Sequence, residues 1–308
     1  MEQPLPTEVS PLVGLDLLSW FEVEGRDLPW RRTRDPWSIL VAEAMLQQTQ
    51  VARVVERWPR FLARFPNPEV CAAAPLAEVI EEWSGLGYNR RAVSLHRAAH
   101  IMIDEHGGQV PSQLSALLAL PGVGAYTARA IRVFAWELDD AVVDTNVARI
   151  LARCVGVALD VRTVQALADT AVPTGHGWDW NQALLDLGAG WCTARTPLCS
   201  TCPAAGRCAW FRAGRPDPDP ARASAGVSGR QSRFVGSDRQ GRGALVAALG
   251  RSPVERSALA AVMGWPDDPD RAERVAATVV RDGLATQNGD QYLPGQRSPA
   301  RADRPRRR

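Results

Sequence analysis

The chain contains no lysine. All 36 of its Lys+Arg residues are arginine, which removes every mechanism that needs a lysine amine, a lysine Schiff base above all. No stretch approaches the ~18 uninterrupted apolar residues of a membrane span. The opening segment, Met1 to Ser10, sets acids and prolines where a secretory signal would place its apolar run. The expectation is a cytoplasmic protein with no membrane partner. An excess of charge is missing as well: 36 cations against 34 acids leave +2 over 308 residues, too near neutral to mark a nucleic-acid binder. Strand-like alternation is scarce before Ala209, and no internal repeat is visible. At ~150 residues per domain the length suggests about two domains.

What is there is unevenly placed. Residues 1–208 hold 18 Arg and 23 acids, whereas residues 209–308 hold 18 Arg and 11 acids. The basic character therefore lies in the C-terminal third, where a polyanionic partner fits. From Leu12 to Ala209 the apolar spacing is helical, as in Val147, Ile150, Leu151 and Cys154. Residues 212–235, opening with Pro216, Pro218 and Pro220, read as a linker. Beyond it, 242–249 and 272–284 read as helices. Asn288-Gly289 then stands between two short strand candidates, 285–287 and 291–293, a hairpin signal. Residues 236–296 are expected to form a small winged-helix-like module, with a disordered basic tail at 297–308.

Leu120-Pro121-Gly122-Val123-Gly124 separates two helical stretches, 113–120 and 126–136. Its glycines permit a tight reversal and close approach of another backbone. The helix that follows opens with unpaired N–H groups, an anion site that suits a phosphate and is indifferent to base sequence. Asp144, after Ala141-Val142-Val143, reads as an N-cap that fixes one carboxylate oxygen and leaves the other available. Glu43 is the one carboxylate in Ile39–Leu46. If that face is buried, desolvation keeps it protonated, as a general acid requires. Gln47, Gln48 and Thr49 follow, three uncharged hydrogen-bonding residues suited to base edges.

The six cysteines divide two and four. Cys71 and Cys154 read as core thiols. Cys192, Cys199, Cys202 and Cys208 form C-x6-C-x2-C-x5-C, which reads as a ligand set in a chain with no export signal. Zinc and a 4Fe–4S cluster both accept four thiolates, and the long first gap leans toward the cluster. His96, His100 and His106 could share a helix face, but no carboxylates accompany them; they read as surface or satisfied histidines.

Seven fragments occur in order: LPWR at Leu28–Arg31, EAMLQQTQV at Glu43–Val51, GLGY at Gly85–Tyr88, LPGVGAYTARAI at Leu120–Ile131, VDTNVARILARC at Val143–Cys154, NQALLDLGA at Asn181–Ala189, and the four cysteines. Over roughly Leu17 to Trp210 the chain resembles the adenine DNA glycosylases of the MutY type, within the helix-hairpin-helix superfamily that includes endonuclease III. The resemblance implies an all-α fold of two lobes, residues 28–140 and residues 1–27 with 141–211. The first lobe carries the hairpin and the second a 4Fe–4S cluster on the four cysteines. It implies that Glu43 protonates the adenine, that Asp144 stabilises the positive sugar, and that Tyr126 and Asn146 organise the site. Gln48 matches the wedge driven into the duplex and Tyr88 the residue stacked beside the opposing lesion. Trp30, Arg31, Gln182 and Asp186 match positions lining the adenine pocket, and Gln47, Thr49, Gly122, Val123 and Gly124 join the DNA contacts.

The implied partner is double-stranded DNA with adenine mispaired to 8-oxoguanine or guanine, bound by a monomer that is nucleoid-associated when on DNA. Lyase-competent relatives carry a Schiff-base lysine where this chain has Tyr126, so the implied activity is monofunctional. Asn89 stands where relatives often carry a second aromatic. The last hundred residues do not map onto the pyrophosphatase-like domain of many members, and the basic module is expected to bind DNA in its place. The rival readings are a thymine- or uracil-mismatch glycosylase of the same superfamily and a non-catalytic iron–sulfur DNA-binding protein.

Overall fold

The computed structural model describes residues 15–224 and 233–295. The basic tail and part of the expected linker lie outside the described residues. The described residues fall into two compact units: one within Met1–Ile39, Ser112–Leu118 and Val123–Arg230, the other within Leu40–Pro111, Ala119–Gly122 and Gln231–Arg308. The division differs from the expected lobes. Residues 28–39 side with the cysteine-bearing unit, and the C-terminal module belongs to the other. Among the described residues no helix is long and apolar enough to cross a membrane.

The chain opens with helices α1 (Leu15–Glu24), α2 (Pro36–Leu46), α3 (Val51–Arg64), α4 (Pro68–Ala73), α5 (Leu76–Glu82) and α6 (Arg90–His106). Their ends follow local chemistry. Pro36 supplies the fixed φ of a first helical position, and Asp35 Oδ2 accepts the Ser38 N–H at 2.8 Å. Asn67 caps α4 through the Val70 N–H at 2.9 Å, and Gly107, at φ +60°, ends α6. Phe61, Phe65 and Trp83 are fully buried. Their rings pack with centroids 4.9 Å (Phe61–Phe65) and 5.8 Å (Phe61–Trp83) apart.

Helices α7 (Leu114–Ala119) and α8 (Ala125–Trp136) flank the glycine hairpin. After them come α9 (Thr145–Val155), α10 (Val161–Ala171), α11 (Gly177–Gly190) and the one-turn α12 (Ala209–Arg212). The stripe Val147, Ile150, Leu151 and Cys154 faces inward as its spacing requires. It joins Leu17, Phe21, Trp180, Leu184, Leu187 and Trp210 in one core. Gly188 lets α11 approach α9: a Cβ there would lie 2.5 Å from Asn146 Cβ. Part of the expected linker is folded. Pro220–Ala223 makes a 3₁₀ turn, Asp219 pairs with buried Arg153 at 2.7 Å, and Ser224 Oγ accepts the Leu159 N–H at 3.0 Å. Composition alone marks that segment as a spacer; a buried ion pair 66 residues apart in sequence overrides it.

The C-terminal module runs α13 (Asp238–Leu249), β1 (Val254–Glu255), α14 (Leu259–Val262), α15 (Pro269–Arg281), β2 (Ala285–Asn288) and β3 (Gln291–Pro294). Its antiparallel sheet has the order β1-β3-β2. Three helices and a terminal hairpin match the winged-helix-like expectation. Asn288 pairs with Gln291, so the turn centre is Gly289-Asp290, one residue later than the Asn-Gly signal places it. Gly289, at φ +57°, supplies the positive φ of a two-residue hairpin.

Candidate active site

In the first unit Asp144 caps α9. Its Oδ1 accepts the N–H of Asn146 at 2.8 Å and of Val147 at 2.7 Å. The second oxygen is not left open as the sequence reading has it: Oδ2 accepts Asn146 Nδ2 at 2.7 Å. All three bonds are donated to the carboxylate. The network continues. Arg149 Nη2 donates to Asn146 Oδ1 and to Gly188 O, both at 2.8 Å, and its Nε donates to Cys192 O at 2.7 Å. Burial pulls the Arg149 guanidinium downward, and the Cys192 and Asp144 charges oppose that. Sequence reasoning missed Arg149. The signal was an arginine three residues after Asn146 on a helix packed into a core.

Asp186 on α11 is held in a double pincer. Arg31 Nη1 and Nη2 reach its two oxygens at 2.9 and 2.7 Å. The Arg26 backbone N–H and Nε reach them at 2.8 and 2.7 Å. Burial raises the Asp186 carboxyl, yet the bonds from Arg31 and Arg26 outweigh it and leave the group below its usual range. Arg31 and Asp186 thus fasten the segment carrying Trp30, which is buried, as is Gln182. Tyr126 is half-buried in the first turn of α8. Gly124 caps that helix, and nothing lies within 4 Å of where its Cβ would be.

In the second unit Glu43 lies on α2 with 5% of its surface exposed, the inward face the general-acid reading requires. Gln47 Nε2 donates to Gly122 O at 3.4 Å. Gly122 is at φ +82°, and a Cβ there would stand 2.7 Å from Ser94 Cβ. Gln48 and Tyr88 are exposed and adopt left-handed backbone, φ +57° and +47°. One residue absent from the sequence-based candidates holds both segments. Arg91 Nη1 donates to the carbonyls of Ala44, Met45 and Gln47 at 2.8, 2.7 and 2.6 Å. Its Nη2 donates to Thr49 Oγ1 at 2.9 Å and to the carbonyls of Leu86 and Gly87 at 3.2 and 3.0 Å. Burial lowers Arg91 to about 10, so it remains a cation at neutral pH.

Cys192, Cys199, Cys202 and Cys208 all pack against the core of the first unit. Burial pushes Cys202 up to about 11, and its three partner thiols add to that. Arg153 Nη1 lies 3.3 Å from Cys192 Sγ. Among the described residues no three such side chains close to metal-holding distance. Four soft thiols with a buried cation against one of them still form a donor set suited to an anionic thiolate centre. Cys71 and Cys154 are buried. His96, which sequence allowed to be satisfied, lies 3.0 Å from Ala74 O.

Residues 41–171 match the HhH-GPD superfamily of base excision DNA repair proteins. The solved structure of a thermostable thymine-DNA glycosylase superposes with a TM-score of 0.60 at 31% identity, over 64% of this chain and 94% of that one. Similarity to adenine DNA glycosylases extends further. The Mycolicibacterium smegmatis protein is 42% identical over 289 residues, 92% of this chain and 94% of the relative. The Mycobacterium tuberculosis protein is 39% identical over 306 residues, 95% and 98%. The chain belongs to the adenine DNA glycosylase family, base-excision-repair N-glycosylases of the helix-hairpin-helix fold. At these coverages both matches extend into the C-terminal module.

Proposed function

We propose that the protein excises adenine mispaired with 8-oxoguanine or guanine and leaves the DNA strand intact. The observation that carries this is Asp144, an anion fixed by three donated hydrogen bonds at the mouth of α9. Breaking an N-glycosidic bond needs a proton for the departing base and a counter-charge for the oxocarbenium-like sugar. Glu43, buried on α2, donates the proton to the base. Asp144 faces the developing positive charge, where a positioned anion in a dry site is worth several powers of ten. Arg149 positions Asp144 through Asn146. The base must first leave the stack, at a cost of a few kcal/mol. Gln48 and Tyr88 are the side chains assigned to that work, and the amino end of α8 holds a phosphate meanwhile.

With Tyr126 after the hairpin and no lysine anywhere, no side-chain amine can form a Schiff base. Cys192, Cys199, Cys202 and Cys208 would hold a 4Fe–4S cluster. When bound, it ties four thiolates of a 17-residue loop into one rigid node. The enzyme acts as a monomer in the cytoplasm, on the nucleoid. The family match and the LPWR and EAMLQQTQV fragments favour adenine over thymine or uracil.

The test is single-turnover base release from duplexes bearing A opposite 8-oxoguanine, A opposite G, T opposite G and U opposite G, split into samples with and without alkali. Adenine release, with strand breaks only after alkali and no adduct trapped by borohydride, is the expected result. Glu43→Gln and Asp144→Asn should each slow release by about 10²-fold or more. Thymine or uracil release would move the protein to the rival reading.

A further inference from the structure

We propose that the C-terminal module sets Arg239 beside Tyr88 so that the two side chains form one contact surface for the backbone of duplex DNA. The inference rests on the reading of Tyr88 as a DNA-facing residue. It adds a second part of the chain to that contact.

The module is built onto the helices that support Tyr88. Its core takes in Val93 of α6, 1% exposed, with Leu76 and Ile80 of α5 packed against it. Gly283, at φ +77°, lies against α6: a Cβ there would meet Arg97 Nη2 at 2.7 Å. Helices α5 and α6 flank the Gly85–Asn89 loop, so the module's dock is also the loop's support. From the first turn of α13, Arg239 Nη1 donates to Tyr88 Oη at 3.1 Å.

The charge around this point suits phosphate. The Arg57 guanidinium stands 3.2 Å from where a Gly85 Cβ would be, and Arg90 is exposed one residue past Asn89. The neighbouring acid, Asp238, is answered by Arg271 at 2.7 Å and Arg274 at 3.5 Å. Three exposed carboxylates, Asp267, Asp268 and Asp270, stand at the start of α15, the helix whose Arg271 and Arg274 answer Asp238.

The test is equilibrium binding of the full chain to a duplex with 8-oxoguanine opposite an adenosine whose 2′-fluorine slows cleavage, titrated across salt concentrations. Arg239→Ala should weaken binding about tenfold at low salt and reduce the slope of log K against log[salt] by about 0.9, one phosphate contact. Arg251→Ala, at the other end of α13, should change affinity less than about twofold. Tyr88→Phe combined with Arg239→Ala should cost less than the sum of the two alone. Wild-type affinity and slope in Arg239→Ala overturn the proposal. So does an equal loss in Arg251→Ala, which makes the effect general charge, or weaker binding at an unchanged slope, which makes Arg239 only a support for Tyr88. Adenine release by the wild-type chain from the unfluorinated duplex is measured in parallel. Its absence would count against the adenine reading and leaves the binding comparison intact.

Discussion

Arg91 ties the 44–49 segment to the 86–87 segment within the second unit. Left-handed backbone costs a non-glycine residue roughly 1–2 kcal/mol, and the strain falls on both Gln48 and Tyr88. Six hydrogen bonds from one guanidinium fix the segments on which those residues stand. An ammonium has three donors and no planar fork, so Arg91→Lys cannot reproduce the pattern. We expect it to cost about 2–4 kcal/mol in urea unfolding and to slow adenine extrusion, read with 2-aminopurine beside the target base. Unfolding and extrusion both at wild-type values would refute the clamp. Asp144 was legible because a cap is a local event, a carboxylate two and three residues before the N–H groups it accepts. Arg91 and Arg149 were not, because each joins a local acceptor to others about 40 residues away.

The tie between the LPWR segment and α11 is also long-range, 155 residues apart at Arg31–Asp186. Sequence resemblance placed Arg31 and Asp186 at a pocket; it did not show that they are spent on each other. The Asp186 carboxyl is held below its unfolded value of about 3.9. A depressed carboxyl contributes stability that is fully present above the unfolded value and is lost as pH falls through the folded one. Asp186→Asn should therefore melt well below wild type at pH 7, since breaking a buried pair costs about 3–5 kcal/mol. The gap should begin to narrow below about pH 4 and close only once the pH has fallen through the folded value, where the wild-type carboxyl is itself protonated. A gap independent of pH would mean that the amide disrupts packing and not the ion pair. The hairpin was legible for the opposite reason: turn chemistry is local, so Gly289 marked it to within a residue. Two-residue β1 was not, because its pairing with β3 is decided by contacts 36 or more residues away.

At the scale of the whole molecule, composition places one boundary where the structure has two kinds of attachment. Residues up to Ser224 belong to the cysteine-bearing unit through Asp219 and Ser224, whereas the module from Asp238 onward is built onto Val93, Leu76 and Ile80. Truncation after residue 232 should thus expose a hydrophobic seam and lower the melting point of the second unit by several degrees, each fully uncovered large aliphatic side chain contributing about 1.5–3 kcal/mol. Truncation after residue 211 should do this and also strip Arg153 of its carboxylate. Arg153 then stands buried against Cys192 with a charge Asp219 no longer answers, a loss of about 3–5 kcal/mol in the first unit. Calorimetry of the two truncations separates the effects, and the visible absorbance of the proposed iron–sulfur centre would report the first unit alone. The shorter chain should lose that absorbance on mild heating before the longer one does. Equal retention in both would mean that the strap at Asp219 adds nothing to the cysteine loop, and that residues 212–224 are the spacer their composition suggests.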